Sequence, residues 1–200
     1  PGFLTPFGIF FLFLPPTLGW SFYIMLQPLV LGVATYWYVT KLRLSPRAAL
    51  FSSLVLLLSG FAIVRMEYGE FLYVLAGLPI LLGIVEVWKN TPNHRSVVGI
   101  PFVVAVMMVS GQPGMIMYTL LVFALYASVR LPLKGVIILG SLAFLGVGLA
   151  GIQLIPGLEL YQLSTINREA STFIFDRFLL PLSHLVTVII PNYFGNQATY

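Results

Sequence analysis

The segment Gly135–Ile155 carries no charged residue. As an α-helix it would be roughly 31 Å long at 1.5 Å per residue. A bilayer's hydrocarbon core is about 30 Å thick. Trp20–Thr40, Ala48–Val64 and Pro113–Val129 are likewise uncharged, and Phe71–Val87 holds one charge, Glu86. Val97–Ser110 is shorter and borrows length from its flanks. These six segments predict six transmembrane helices, because backbone groups in lipid must be satisfied within the segment. The fold class expected is an all-α polytopic integral membrane protein, with short interfacial or re-entrant helices on one face.

Composition closes the soluble alternative. Of 200 residues, 59% are hydrophobic and 8% charged, against about 25% charged in a soluble domain. The net charge of +4 comes from basic residues scattered singly between apolar runs. That pattern is a topology signal and makes no nucleic-acid patch. With no cysteine, disulfides, thiolate-bound metals and thiol catalysis are out.

The connections test the six-span assignment. Lys41, Arg43 and Arg47 lie in one loop, Lys89 and Arg95 in the second loop after it, and Arg130 and Lys134 in the second after that. The intervening connections hold Glu67 and Glu70, then Gln112, then the stretch after Ile155 with Glu159, Glu169 and Asp176. By the positive-inside rule, loops 41–47, 88–96 and 130–134 are cytoplasmic. The acidic connections then share the outer face, with Glu86 as the exception. Three regions follow. Residues 1–19 are the tail of an outer loop with a short interfacial helix at Phe7–Leu14. Residues 20–155 are the six-helix bundle. Residues 156–200 are an outer-face loop with an amphipathic helix, and Phe178–Ile190 in it is too short to span. The chain starts at Pro1-Gly2-Phe3, without Met or a leader, and stops soon after a loop begins. It is therefore expected to be an internal piece of a longer protein.

Candidate site residues gather on the outer face. Arg168 offers the planar fork that binds phosphate through two hydrogen bonds; an ion pair with Glu159, Glu169 or Asp176 is the plainer reading. Glu67 and Glu70 flank Gly69 at a helix junction, where a carboxylate can act as a base or bind a metal. A loop acid in water, or a partner for Arg65, is the alternative. Gln112 sits in the tight turn Ser110-Gly111-Gln112-Pro113 and can hydrogen-bond a sugar. His184 lies in an apolar stretch with no second His near it, so it does not make a metal site. Glu86 stands alone near a helix end. The Gly146–Ala150 spacing allows close approach of a second helix.

The order Ser59-Gly60-Phe61, Glu67 to Glu70, Leu78-Pro79, Ser110-Gly111-Gln112-Pro113 with Tyr118, Gln153-Leu154-Ile155-Pro156-Gly157-Leu158-Glu159 with Ser164 and Arg168, and Pro191-Asn192-Tyr193-Phe194-Gly195 resembles the bacterial YfhO-like membrane proteins. These in turn look like the wider GT-C glycosyltransferase class. The resemblance implies an enzyme of the bacterial plasma membrane and cell envelope. It would transfer a sugar from a polyprenyl-phosphate donor at the outer face, with membrane lipids and that donor as partners and no nucleic acid. It also implies a catalytic carboxylate upstream of Pro1, so that this piece alone is inactive. Relatives often read Gly-His-Pro where this chain has Gly111-Gln112-Pro113. Arg168 would hold the phosphate, and Glu70, Gln112 and Glu159 would line the pocket. The resemblance fixes no cofactor and is compatible with a divalent cation. A transporter or flippase for a lipid-linked or small solute is the first alternative, and it would need polar residues along a path through the helices. Gln27, Ser52, Ser53 and Gln153 are the candidates for such a path. A non-catalytic membrane scaffold is the second alternative.

Overall fold

The structure is a computed structural model that describes residues 5–163, 182–188, 190 and 193. Among these there are helices and turns and no strand. A 3-10 helix, Pro6–Ile9, leads into α1 (Phe10–Phe13). Then follow α2 (Pro16–Lys41), α3 (Pro46–Leu57), α4 (Gly60–Met66), α5 (Phe71–Asn90), α6 (His94–Val97), α7 (Gly99–Ser110), α8 (Pro113–Arg130), α9 (Leu133–Leu149) and α10 (Gly151–Leu163). A second 3-10 helix covers Leu182–Val188.

Three helices are long and apolar enough to cross a membrane: α2, α5 and α8. There are five spans if α3 with α4, and α9 with the start of α10, each count as one broken span. This is the architecture of an all-α polytopic membrane protein. Two of the expected spans are corrected in detail. Ala48–Val64 is not one straight helix: α3 ends at Leu57, α4 begins at Gly60, and the two are bent by 54°. Ser59 restarts the chain as an N-cap, its side chain accepting a hydrogen bond from the Ala62 N–H at 3.3 Å. The segment Gly135–Ile155 is also broken, because α9 stops at Leu149 and α10 starts at Gly151. Val97–Ser110 supplies only a short apolar helix.

Local chemistry explains the helix starts. Proline at the first helical position costs no hydrogen bond there, and α2, α3 and α8 all begin on one. Pro28 and Pro79 lie inside α2 and α5, as membrane helices permit.

α5 is the axis of the bundle. Leu72, Val74, Leu81 and Val85 are buried along it. Leu81 and Val85 share one core with Ile100, Val104 and Met107 of α7, Phe123 of α8 and Leu139 of α9. Leu72 and Ala76 share another with Leu31 and Ala34 of α2 and Ala62 of α4. Gly146 of α9 meets α7 closely: a Cβ there would lie 2.6 Å from the Pro101 carbonyl oxygen and 2.7 Å from Val104 Cβ.

The chain divides into two compact units, Pro1–Ile155 and Pro156–Tyr200. In the first unit the bundle has two chemically distinct ends. At one end Arg43 Nη2 donates to Asn90 Oδ1 at 3.3 Å, and the Tyr38 hydroxyl donates to that of Tyr126 at 3.3 Å. Loops 41–47, 88–96 and 130–134 therefore share this basic end. At the other end, Gln112 meets Glu70 and Thr5 meets Ser110.

Candidate functional site

Glu70 occupies the N-cap position of α5, yet its side chain makes no capping hydrogen bond. It turns to the 110–113 turn, where Gln112 Nε2 donates to Glu70 Oε1 at 3.0 Å. The turn is shaped for this. Gly111 has φ +103°, and Gln112 is left-handed with φ 55°. A left-handed conformation costs a non-glycine residue roughly 1–2 kcal/mol. A Cβ on Gly111 would lie 2.7 Å from Glu70 Oε2, so glycine lets the carboxylate close on the turn. Two residues singled out from the sequence are thus brought together from α5 and α8.

The floor beneath them is aromatic. Gly69, with φ +75°, lies against Trp20 and Tyr23 of α2. Phe11 of α1 packs on both of those rings. Tyr73 sets its edge against Tyr23 and donates its hydroxyl to the Tyr23 carbonyl oxygen at 2.6 Å. One helical turn on from Tyr23, Gln27 Nε2 donates to the Met66 carbonyl oxygen at 3.3 Å. Tyr23 and Gln27 therefore both pack beneath the Met66–Gly69 turn. The Tyr23 hydroxyl and Gln27 Oε1 are fully buried there and have no hydrogen-bond partner. A buried donor and a buried acceptor left open in this way leave capacity for a polar guest or a water. Sequence reading gave no role to Tyr23, Tyr73 or Thr5. Thr5 is buried and shares a hydrogen bond with Ser110 at 3.3 Å.

Glu67, the other predicted site residue of the first unit, does not join this cluster. Glu67 is exposed. Arg65, its proposed partner, instead lies over the Phe71 ring, 4.7 Å from the centroid, with Tyr68 and Phe61 beside it. Glu159 is exposed on α10 and belongs to the second unit. His184 lies in the 3-10 helix Leu182–Val188, and its side chain is outside the described residues, as is Arg168 altogether. Among the described residues no three metal-ligating side chains come together.

Glu86 overturns its reading as a residue standing alone. It is buried near the basic end of α5 and gripped by Arg130 of α8 through two hydrogen bonds, Nε to Oε1 at 2.6 Å and Nη2 to Oε2 at 2.8 Å. Tyr126 also donates its hydroxyl to Glu86 Oε1. Desolvation is the reason for the pairing: an acid in this setting is held only with a cation and further donors around it. Of the polar residues proposed for a transport path, the two serines are engaged locally, while Gln27 and Gln153 each donate to a backbone carbonyl and keep a buried amide oxygen without a partner. Ser52 and Ser53 donate back to the Ala48 and Ala49 carbonyls of their own helix, and Gln153 donates to the Val109 carbonyl.

Comparison with protein-family models, curated proteins and solved structures found no match.

Proposed function

We propose that this chain is part of a membrane glycosyltransferase of the GT-C kind, taking sugar from a polyprenyl-phosphate donor. The observation that carries the reading is the half-buried Glu70 carboxylate, fixed by Gln112 above the open hydroxyl of Tyr23 and the open amide oxygen of Gln27. Sugar recognition needs such a set of oriented donors and acceptors beside aromatic walls. In this reading the Glu70 end faces outward, where a lipid-linked donor presents its headgroup, and the basic loops face the cytoplasm of a bacterial plasma membrane. Glu70 accepts hydrogen bonds from sugar or acceptor hydroxyls, and Gln112 holds it in place. The resemblance also implies a phosphate-binding role for Arg168, which lies outside the described residues. A continuous polar path, which transport would require, has no support in the hydrogen bonding of Ser52 and Ser53, which donate back to their own helix.

The test uses the full-length protein in membranes supplied with a radiolabelled polyprenyl-phosphate sugar. Glu70→Gln is expected to lower transfer at least tenfold at unchanged expression. Undiminished transfer by Glu70→Gln would remove Glu70 from the site. Absence of transfer by the unaltered protein with every such donor would end the glycosyltransferase reading.

A further inference from the structure

An open groove of about 460 Å³ runs along α2 and is closed on one side by α5. Leu26, Val30, Val33 and Trp37 line it from α2 and Ile80 from α5. From Leu26 to Trp37 is three turns of helix, roughly 16 Å. That is about half of a 30 Å hydrocarbon core, the depth of one leaflet. The groove is therefore dimensioned for acyl chains entering from a single leaflet.

Its end is marked chemically. The Trp37 ring presses into the space that glycine leaves at Gly83, where a Cβ would lie 2.1 Å from Trp37 Cζ3. One turn beyond, the half-buried Lys41 places Nζ 5.6 Å from the centroid of the same ring. Next to it Arg43 takes a left-handed backbone at φ 61°, where helix ends usually carry glycine. Its guanidinium reaches Asn90 on α5. Arg47 and Lys89 are exposed at the same end. Glu86, the acid of this end, is already neutralised by Arg130. An apolar slot one leaflet deep thus terminates at an uncompensated cluster of cations.

We propose that this groove is a binding site for an anionic phospholipid, its acyl chains along Leu26–Trp37 and its phosphate on Lys41 and Arg43. The occupant is read from charge complementarity. A zwitterionic lipid fills the slot equally well but brings its own ammonium cation beside its phosphate, whereas an anionic headgroup leaves its negative charge to offset Lys41 and Arg43. The site lies at the end of the bundle opposite Glu70, and it stands whether or not the chain belongs to a glycosyltransferase.

Trp37 supplies its own reporter. The full chain carrying Trp20→Phe and Trp88→Phe is reconstituted in phosphatidylcholine vesicles. These contain a small equal fraction of brominated phosphatidylglycerol or brominated phosphatidylcholine. Brominated phosphatidylglycerol is expected to quench Trp37 with about fivefold higher apparent affinity, the enrichment that one basic residue supports at a membrane surface. The double variant Lys41→Gln, Arg43→Gln should bring the two lipids level, while Lys41→Arg should keep the preference. Equal quenching by the two lipids in the parent chain, or a preference that survives the double variant, would overturn the proposal. Circular dichroism of each variant separates loss of the site from loss of the fold.

Discussion

Arg130 holds both carboxylate oxygens of Glu86 across the α5–α8 interface, 44 positions apart in the chain. Removing one partner of a buried pair strands the other charge and is strongly destabilising. Arg130→Gln is expected to lower the apparent Tm in detergent by about 5–10 °C. Adding Glu86→Gln to a variant with Arg130→Gln should recover at least half of that loss. A double variant as unstable as the single one would show that the pair contributes more than mutual neutralisation. A thermal-shift cycle over the four proteins decides it.

Gly146→Ala should destabilise by about 1–3 kcal/mol, the usual cost of overpacking. The new methyl would meet the Pro101 backbone and Val104 Cβ, neither of which can turn aside. Gly140 and Gly148, on the same helix, have nothing within 4 Å of an added Cβ. Alanine at either should be neutral or slightly stabilising. Denaturation in detergent with the three variants side by side checks the contrast.

Gln112→Gly separates conformation from chemistry. Glycine relieves the left-handed strain of roughly 1–2 kcal/mol and gives up a charge-assisted hydrogen bond of about 1.5–3 kcal/mol. The two nearly offset, so stability should change by about 1 kcal/mol or less. If the chain acts as proposed and Glu70 needs Gln112 to hold it, transfer by the full-length protein should nevertheless fall. A stability loss matching the activity loss would make the contact structural only.

The cysteine-free chain allows the sidedness to be read directly. Leu44→Cys and Tyr68→Cys place thiols at exposed positions near the two ends of the bundle. A membrane-impermeant maleimide on intact cells should label Tyr68→Cys and spare Leu44→Cys until the cells are opened. The reverse pattern would invert the topology.

Ser59→Ala removes the cap that restarts the broken span at α4. Its expected cost is about 1 kcal/mol, read as a drop in Tm with unchanged helix content at low temperature.

The membrane architecture was legible because charge and apolar length report directly on the bilayer. Loops 41–47, 88–96 and 130–134 were grouped from lysines and arginines alone, and the contacts of Arg43 with Asn90 and Tyr38 with Tyr126 place them at one end. The breaks were harder, because hydropathy is blind to backbone direction. Ser59-Gly60 inside an apolar run was the available signal: a capping residue followed by a poor helix former. Of the candidate site, Glu70 and Gln112 were named singly, but their pairing depends on a left-handed glutamine that no spacing announces. Tyr23 and Tyr73 were passed over because aromatic residues in apolar helices look like core. Glu86 was misread, although an isolated acid among seven basic residues was itself a sign that one of them was its partner.

The order of synthesis gives the Glu86–Arg130 pair a further meaning. At 5–20 residues per second, the 44 residues from the one after Glu86 through Arg130 take roughly 2–9 s to emerge from the ribosome. For that interval α5 carries a carboxylate whose cation has not yet been made. Glu86 must wait at the aqueous border or within the insertion channel until α8 arrives. Arrival of Arg130 then supplies the cation that closes the α5–α8 interface, before α9 is made to pack on the same core.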